Sequence, residues 1–301
     1  MAKYEHTVTD SEVGLTINQI LRANYKFSSR FRTKMKYQSL VDLNGSPAPG
    51  YLRPEAGDVI GVRLPEETSD FPPEDIPLDV IYEDDDLLII NKQPGIIVHP
   101  TKGHPYHTIA NGVMKYMEDT GQSFKVRFAN RIDMDTTGII IVAKNANAQN
   151  DLASQMRRNT VVKKYYALVE GNVPEDHFII DLPVGRPSQE SIRRVVMEDG
   201  GKQALSEVSV VERFESDIYG PHTLVEVTLH TGRTHQIRVH LSHIGHIIAG
   251  DELYEGRTDL IGRQALHAYH IEFIHPATGE PMSFDAGLPD DIKQAIETLR
   301  N

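Results

Sequence analysis

Cysteine is missing from this chain of 301 residues, which excludes disulfides and thiolate metal sites. No apolar run approaches the ~20 residues that a membrane-spanning helix needs, and residues 1–6 lack the apolar core of a secretion signal. We therefore expect a cytoplasmic protein without a membrane partner. A composition of 39% hydrophobic and 25% charged residues is typical of a globular protein with one or two domains.

Charge of one sign is absent from two long stretches. Between Leu64 and Asn91 there are ten acidic residues and no Lys or Arg, so this segment accounts for most of the net charge of −12. Between Val13 and Val41 there are six basic residues and no Asp or Glu. Salt largely screens the field of a charge at distances beyond about 8–10 Å. The local charge, and not the total charge, therefore decides where a phosphate backbone binds. The acidic total therefore does not exclude a nucleic-acid partner.

The first 65 residues predict a small α/β module. Apolar spacing over residues 15–21 indicates a helix, residues 29–37 a second and basic helix, and residues 39–46 and 57–64 two strands, with an Asn-Gly turn after the first. Residues 66–78 are rich in proline and acid, which indicates an extended linker. Residues 79–301 would form the main domain.

In this main domain, strands outnumber helices. The predicted elements are strands at 138–143, 164–170, 205–211 and 224–229, hairpins over 87–98 and 268–285, and helices at 145–158 and 290–300. This order predicts an α+β fold with a mixed, mostly antiparallel sheet.

The most informative stretch is residues 130–138, Asn-Arg-Ile-Asp-Met-Asp-Thr-Thr-Gly, which an apolar run follows at once. A loop joined to a buried strand is a rigid place to present one reactive acid. An arginine beside that acid can bind a phosphate or occupy the space of a displaced base. The pattern suggests an enzyme that acts on a nucleotide through one carboxylate, without a cofactor.

This stretch resembles the Arg-Leu-Asp-x-x-Thr-Ser-Gly motif of the RluA-type pseudouridine synthases. Three further stretches resemble motifs of that family in the same order: residues 91–100, residues 163–171 with a tyrosine, and residues 232–241, which a Gly250-Asp251 pair follows. Any one motif alone would be weak. The resemblance implies a pseudouridine synthase fold, RNA as the substrate, and a reaction that consumes no metal, redox cofactor or energy source.

The resemblance assigns Asp133 as the catalytic carboxylate and Arg131 as the residue inserted where the target uridine leaves the RNA. A free aspartate is ionised near neutrality, so it can attack C1′ of the ribose or take the C2′ proton, and both routes stay open. Asp135 suits a turn better, since Asp-x-Thr-Gly is good turn chemistry. Arg131 could instead pair with Asp135. Asn130 stands where the family has histidine.

Two further catalytic residues follow from the same resemblance. Tyr165 matches the tyrosine that stacks on the target uracil and assists proton transfer, and strand alternation sends Tyr166 to the opposite face for packing. Arg238 matches the arginine that pairs with the catalytic aspartate, which would keep Asp133 ionised and fix its rotamer. Arg233 is the competing candidate for that pair.

The N-terminal module resembles the small "S-four" RNA-binding domain, which many RluA-type enzymes carry at this position. Its predicted RNA-binding residues are Arg22, Lys26, Arg30, Arg32, Lys34 and Lys36. A solvated helix face is the ordinary explanation of such a run, although surface helices normally mix both signs. The implied partner is structured RNA, with large-subunit ribosomal RNA favoured and transfer RNA possible. No obligate protein partner is implied.

Three alternatives remain open at this stage. The cluster His235, His240, His243 and His246 could bind a metal, although no Glu lies between these histidines as in His-Glu-x-x-His. Residues 133–137 mimic the Asp-x-Asp-x-Thr motif of haloacid-dehalogenase-type phosphatases. In those enzymes, however, the apolar strand precedes the aspartates, and here it follows them. A non-catalytic RNA-binding protein is the third, which the intact Asp, Tyr and Arg argue against.

Overall fold

The computed structural model describes residues 2–25, 27–65, 67–101 and 103–301. Its N-terminal unit packs two helices on a four-stranded antiparallel sheet of order β1-β4-β2-β3. These elements are β1 (Tyr4–Thr7), α1 (Ile17–Asn24), α2 (Ser29–Tyr37), β2 (Val41–Leu43), β3 (Ser46–Pro47) and β4 (Val59–Val62). The unit has an apolar core of its own, which includes Ile17, Ile20, Phe31 and Ile60.

Local sequence explains both helices and the turn of this unit. Thr16 and Ser28 are the N-caps of α1 and α2, since each side chain accepts a hydrogen bond from the first turn of its helix. Asn44 and Gly45 both have positive φ angles, 52° and 79°. The twist of a two-residue hairpin turn requires such angles. The two predicted helices and the Asn-Gly turn are confirmed.

The segment of residues 67–78 contains no helix or strand, but it does more than separate two units. Asn111 of the main unit donates to the Pro72 carbonyl at 2.8 Å, and the Glu74 amide donates to the Asn111 carbonyl at 3.1 Å. Phe71 packs beside Val98 in an apolar cluster of the main unit. The segment is therefore extended, as predicted, and lies along the main unit through specific contacts.

The main unit is built on a nine-stranded sheet of order β5-β6-β7-β14-β8-β13-β12-β9, with β15 paired to β14. Its elements are β5 (Asp79–Glu83), β6 (Leu87–Lys92), α3 (Ile109–Thr120), β7 (Thr137–Ala143), α4 (Ala146–Arg157), β8 (Val162–Glu170), β9 (His177–Asp181), β10 (Val184–Gly185), β11 (Val195–Val196), β12 (Leu205–Ser216), β13 (Gly220–Leu229), α5 (Gln236–His243), β14 (Leu266–Ile274), β15 (Pro281–Asp285) and α6 (Asp290–Arg300).

All strand pairs of this sheet are antiparallel except β7 with β14. The predicted α+β class with a mostly antiparallel sheet is confirmed. The strands predicted at 138–143, 164–170, 205–211 and 224–229, the late hairpin, and helices α4 and α6 are all present. Within the described ranges, no helix is both long and apolar enough to cross a bilayer.

The hairpin predicted over residues 87–98 is wrong. The turn exists, and Gly95 has a φ of +76°, but only the first of its two strands forms, as β6. Both edges of β6 are already occupied, by β5 on one side and β7 on the other. The run 96–98 therefore cannot pair with β6, and Val98 packs instead with residues of α3.

Candidate active site

The loop of residues 130–138 is fixed to strand β7 by its own side chains. The side chain of Asn130 hydrogen-bonds the backbone of β7. Its Nδ2 donates to the Ile139 carbonyl at 3.0 Å, and its Oδ1 accepts from the Ile141 backbone amide at 2.8 Å. At the other end, Gly138 has a φ of +112°, and a Cβ there would lie 2.1 Å from the Ala268 carbonyl oxygen. Only glycine fits this position. The loop that carries Asp133 is therefore anchored at both ends.

A buried lysine joins this loop to the preceding one. The Lys92 ammonium donates to the carbonyls of Gln93, Ile96 and Met134 at 2.7–2.9 Å. These three bonds use all three donors of the ammonium group. Burial lowers the pKa of Lys92 to about 7, against the opposing charge of Asp135. Lys92 thus holds the residue next to Asp133 against the turn that follows β6.

Asp133 is paired with Arg238, as predicted. Arg238 Nη1 donates to Asp133 Oδ2 at 3.0 Å. The remaining face of the guanidinium is held by Asp251, which accepts from Nε at 2.6 Å and from Nη2 at 2.7 Å. Arg238 is 6% exposed and Asp251 1%. Burial opposes the charged form, but Asp251 and then Asp133 raise the pKa of Arg238, so the arginine is a fixed cation.

Arg238 lies on α5, and a buried glutamine shapes the turn before it. Gln236 Oε1 accepts from the Thr231 hydroxyl and the Arg233 amide, while its Nε2 donates to the Leu205 carbonyl and the Ser206 hydroxyl. His235 begins the helix with a φ of 57°, a left-handed conformation that costs energy for a residue with a side chain. The turn is thus tied to β12 in the orientation that directs Arg238 at Asp133.

His235 is also close to the pair formed by Asp133 and Arg238. Its Nε2 lies 3.8 Å from Asp133 Oδ2, and its Nδ1 lies 3.1 Å from the Tyr254 hydroxyl. Burial lowers the pKa of His235, against the charge of Asp133. The imidazole is therefore neutral near pH 7, and the cation paired with Asp133 is Arg238.

Tyr165 and Tyr166 occupy opposite faces of β8, as alternation predicts. Tyr165 lines the cleft that contains Asp133 and Arg238. Its hydroxyl makes no hydrogen bond within the described residues. Burial and then the Asp133 charge raise the pKa of Tyr165, so the phenol keeps its proton at neutral pH. Tyr166 stacks on Tyr269 with ring centres 4.0 Å apart, which is a packing role.

The cleft has a volume of about 1100 Å³ and an unusual charge. Its lining contains one acid, Asp133, and six basic residues. These six are Arg127, Arg131, Arg157, Lys163, Arg233 and Arg238. Arg131 donates to the Thr234 hydroxyl at 2.9 Å rather than pairing with Asp135. Arg233 donates to the Gln203 carbonyl, and it is Arg238 that takes the place beside Asp133.

The predicted RNA-binding residues of the N-terminal unit differ in their exposure and in the contacts that their side chains already make. Arg22 and Lys36 are exposed. Arg32 donates to the Phe27 carbonyl and the Ser29 hydroxyl, and Lys34 is paired with Glu67 at 3.0 Å. Lys26 lies outside the described residues, as does the side chain of Arg30. Among the described members of this group, Arg22, Arg32, Lys34 and Lys36, none lines the Asp133 cleft.

The four clustered histidines have separate surroundings. His240 is fully buried, and its two ring nitrogens contact the Ser206 hydroxyl and the Leu182 carbonyl, each at 2.9 Å. The only close trio of metal-ligand types in the described ranges is elsewhere, at Asp84, Asp86 and His275. Asp84 already accepts hydrogen bonds from the Tyr82 hydroxyl, His275 and two backbone amides. These bonds give its carboxylate a structural role.

Three residues of this site had no role assigned from the sequence. Asp251 was part of a noticed Gly-Asp pair, and it turns out to hold Arg238. Tyr254 lies against the Arg238 guanidinium, 5.0 Å from the ring centre. Lys92 was part of the first motif only. The Gly-Asp pair was a usable signal for Asp251, whereas the contacts of Tyr254 with Arg194 and of Lys92 with Met134 join chain segments that are distant in sequence.

Several known proteins are similar to this chain over most of its length. A family model described as RNA pseudouridylate synthase matches residues 86–243. The uncharacterized RNA pseudouridine synthase YlyB of Bacillus subtilis is 42% identical over 86% of this chain and 86% of its own. The ribosomal large subunit pseudouridine synthase D of Neisseria meningitidis serogroup A is 39% identical over 97% of this chain and 83% of its own.

The ribosomal large subunit pseudouridine synthase D of Nitrosomonas europaea is 36% identical over 99% of this chain and 88% of its own. Among solved structures, human RNA pseudouridylate synthase domain containing 1 superposes with a TM-score of 0.59 at 25% identity, covering 76% of this chain and 97% of the human one.

Proposed function

This chain belongs to the RNA pseudouridylate synthase family and is an RNA pseudouridine synthase, an isomerase; from that premise we propose that it modifies large-subunit ribosomal RNA with Asp133 as its catalytic carboxylate. The observation that carries the proposal is the 3.0 Å bond between Arg238 and Asp133, in a cleft whose other charged lining residues are all basic. The phosphatase and the non-catalytic alternatives find no support among the comparisons.

The reaction breaks the bond between uracil N1 and ribose C1′ and rejoins the base through C5. Asp133 contributes a charged oxygen near the sugar, either to attack C1′ or to take the C2′ proton. Arg238 orients that oxygen through its hydrogen bond, since its own position is fixed by Asp251. Tyr165 supplies a ring for the extruded uracil to stack on and an unpaired hydroxyl beside it.

Local charge supports RNA as the partner of this acidic chain. Arg157 and Lys163 line the cleft, and burial together with the neighbouring Arg233 lowers the pKa of Lys163. Cations held close together repel each other, and a phosphate placed between them would relieve that repulsion. The RNA backbone on both sides of the target uridine provides such phosphates.

The choice of large-subunit ribosomal RNA rests on the names of two relatives that span nearly the whole chain. Transfer RNA is the alternative substrate. Cytoplasmic residence is part of the proposal, since that is where such an RNA would be met.

The experiment is to map pseudouridine across total RNA from cells with and without this gene, and from cells that carry the Asp133→Asn variant. We expect a small number of large-subunit positions to lose pseudouridine in the deletion and to stay unmodified with the variant. Lost positions in transfer RNA alone would overturn the substrate assignment. Positions that lose pseudouridine in the deletion but are modified in cells with the Asp133→Asn variant would overturn the catalytic assignment.

We also propose that the N-terminal unit binds RNA through its exposed basic residues. Replacing Arg22 and Lys36 with Gln in the full chain should weaken RNA binding and flatten its dependence on salt, since each lost phosphate contact lowers the slope by about 0.9. Lys293→Gln, a change at another exposed lysine, is the control. A double variant that binds with the control's affinity and salt slope would remove this role.

A further inference from the structure

A loop rich in arginine stands at the edge of the active site. It consists of residues 186–194, which connect β10 to β11, and we call it the arginine loop. Its backbone is fastened from two sides: Arg186 Nε donates to the Ser191 carbonyl at 2.7 Å, and Arg194 Nη1 donates to the Ile192 carbonyl at 2.9 Å. These bonds fix the backbone on either side of the tip, so the loop can present a side chain rigidly.

The base of the arginine loop is connected to the catalytic pair. The Arg194 amide donates to the Tyr254 hydroxyl at 2.9 Å, and that hydroxyl lies 3.1 Å from the Arg194 carbonyl, to which it donates in turn. Tyr254 is 2% exposed. Its ring contacts the guanidinium of Arg238, which holds Asp133, and also that of Arg193, each at 5.0 Å. The position of the loop is therefore set relative to the catalytic carboxylate.

At the tip of this loop an apolar side chain faces solvent. Ile192 is 71% exposed, yet it borders the same cavity of about 650 Å³ as Asp133 and Arg131. A single exposed isoleucine needs no explanation in itself. Its location distinguishes Ile192, because a rigid basic loop beside the reacting carboxylate is where RNA must lie if the proposed function holds.

Extruding a uridine leaves its neighbours in the RNA without a stacking partner. Proteins that distort nucleic acids insert apolar wedges at such steps, which offsets the cost of unstacking. Arg131 and Ile192 line the cavity together, one polar and one apolar. A guanidinium can hydrogen-bond in the space that the base has left, whereas Ile192 can offer only van der Waals contact to a base face.

On the basis of the proposed function, we propose that Ile192 is a positioning residue. Its side chain is a wedge that packs against the unstacked base next to the target uridine. This contact would lower the free energy of the RNA with its uridine extruded. The enzyme would thereby favour RNA sites in which the base next to the uridine is easily unstacked. Asp133 and Tyr165 would still perform the chemistry.

The test is a cycle between the protein side chain and the RNA base. Full-length wild type, Ile192→Ser and Ile192→Leu are assayed for pseudouridine formation on a folded transcript that contains the mapped uridine, and on transcripts with an abasic site on its 5′ or 3′ side. Ile218→Ser is the matched control, because Ile218 is 82% exposed in the β12–β13 turn and does not line the cavity.

We expect Ile192→Ser to lower kcat/KM about tenfold on the intact transcript but by less than about twofold on one of the two abasic transcripts, where the wedge has no base to contact. Ile192→Leu and Ile218→Ser should behave as wild type. An equal loss on all three transcripts, or no loss on the intact one, overturns the wedge. If wild type itself forms no pseudouridine, it is the proposed function that fails.

Discussion

The Arg238 guanidinium bonds Asp133 with one nitrogen and Asp251 with the other two, although Arg238 and Asp133 lie 105 residues apart in the chain. The arginine is thus held by the more buried aspartate and in turn holds the more exposed one. The orientation of the Asp133 carboxylate therefore depends on Asp251, which holds the other side of the same guanidinium.

Removing the charge of Asp133 separates catalysis from binding. Asp133→Asn keeps the size of the side chain and an oxygen for Arg238, but it loses the nucleophilic or basic oxygen. We expect pseudouridine formation to fall by at least about 10⁴-fold, while RNA affinity stays close to that of wild type. Mass spectrometry of the RNA product and a binding titration check the two parts. Turnover retained by this variant would exclude Asp133 from the mechanism.

Removing the support of Arg238 should cost stability as well as activity. Asp251→Asn leaves a buried guanidinium without its bidentate partner, and breaking a buried pair from one side costs roughly 3–5 kcal/mol. The control is Asp259→Asn at an exposed pair with Arg257, where less than about 1 kcal/mol is expected. Chemical denaturation of both variants gives the comparison. Equal losses would mean that the buried network has no special weight.

We expect that the Tyr165 hydroxyl can be removed without loss of stability. It makes no hydrogen bond within the described residues, so Tyr165→Phe should keep the free energy of unfolding within about 1 kcal/mol. RNA binding should persist because the ring persists. Turnover should fall by about 10²-fold or more if the hydroxyl takes part in proton transfer. Tyr166→Phe is the control, and a Tyr165→Phe enzyme as fast as that control would limit Tyr165 to stacking.

We expect the ion pairs of Glu67 to make the free energy of unfolding fall as the pH becomes acidic. Partial burial opposes its charge, but the hydrogen bond from Lys34 and the charge of Arg127 lower the pKa of Glu67 below its usual value. A carboxylate with a lowered native pKa stabilises the fold above its unfolded value of about 4.3. That stabilisation is lost as the pH falls through the native pKa.

We therefore expect Glu67→Gln to be less stable than wild type by about 0.5–1 kcal/mol at pH 7, with the difference vanishing in acid below the native pKa. Denaturation curves from pH 7 down to the acid limit of folding measure it. A difference that does not change with pH would show that the pairs with Lys34 and Arg127 add nothing to stability.

Much of the fold and the site was predictable from local patterns. Strand β7, helices α4 and α6 and the Asn-Gly turn follow from apolar periodicity, caps and turn residues, which act over a few positions. The pairing of Asp133 with Arg238 was predicted from resemblance. The hairpin at residues 87–98 was predicted wrongly, because whether Ile96–Val98 can pair depends on which strands already flank β6.

The sequence by itself determined which reactive groups are present: an aspartate in a loop before a buried strand, a tyrosine on an alternating strand and an arginine after a His-Gln-hydrophobic triplet. Only the tertiary structure decided how these groups are held, through Asp251 behind Arg238, Lys92 beneath the Asp133 loop and Tyr254 linking the arginine loop to the pair. The reason is physical. Hydrogen bonds and burial between segments far apart in the chain depend on where the sheet places those segments. A local sequence pattern does not encode the distance in space between two such segments.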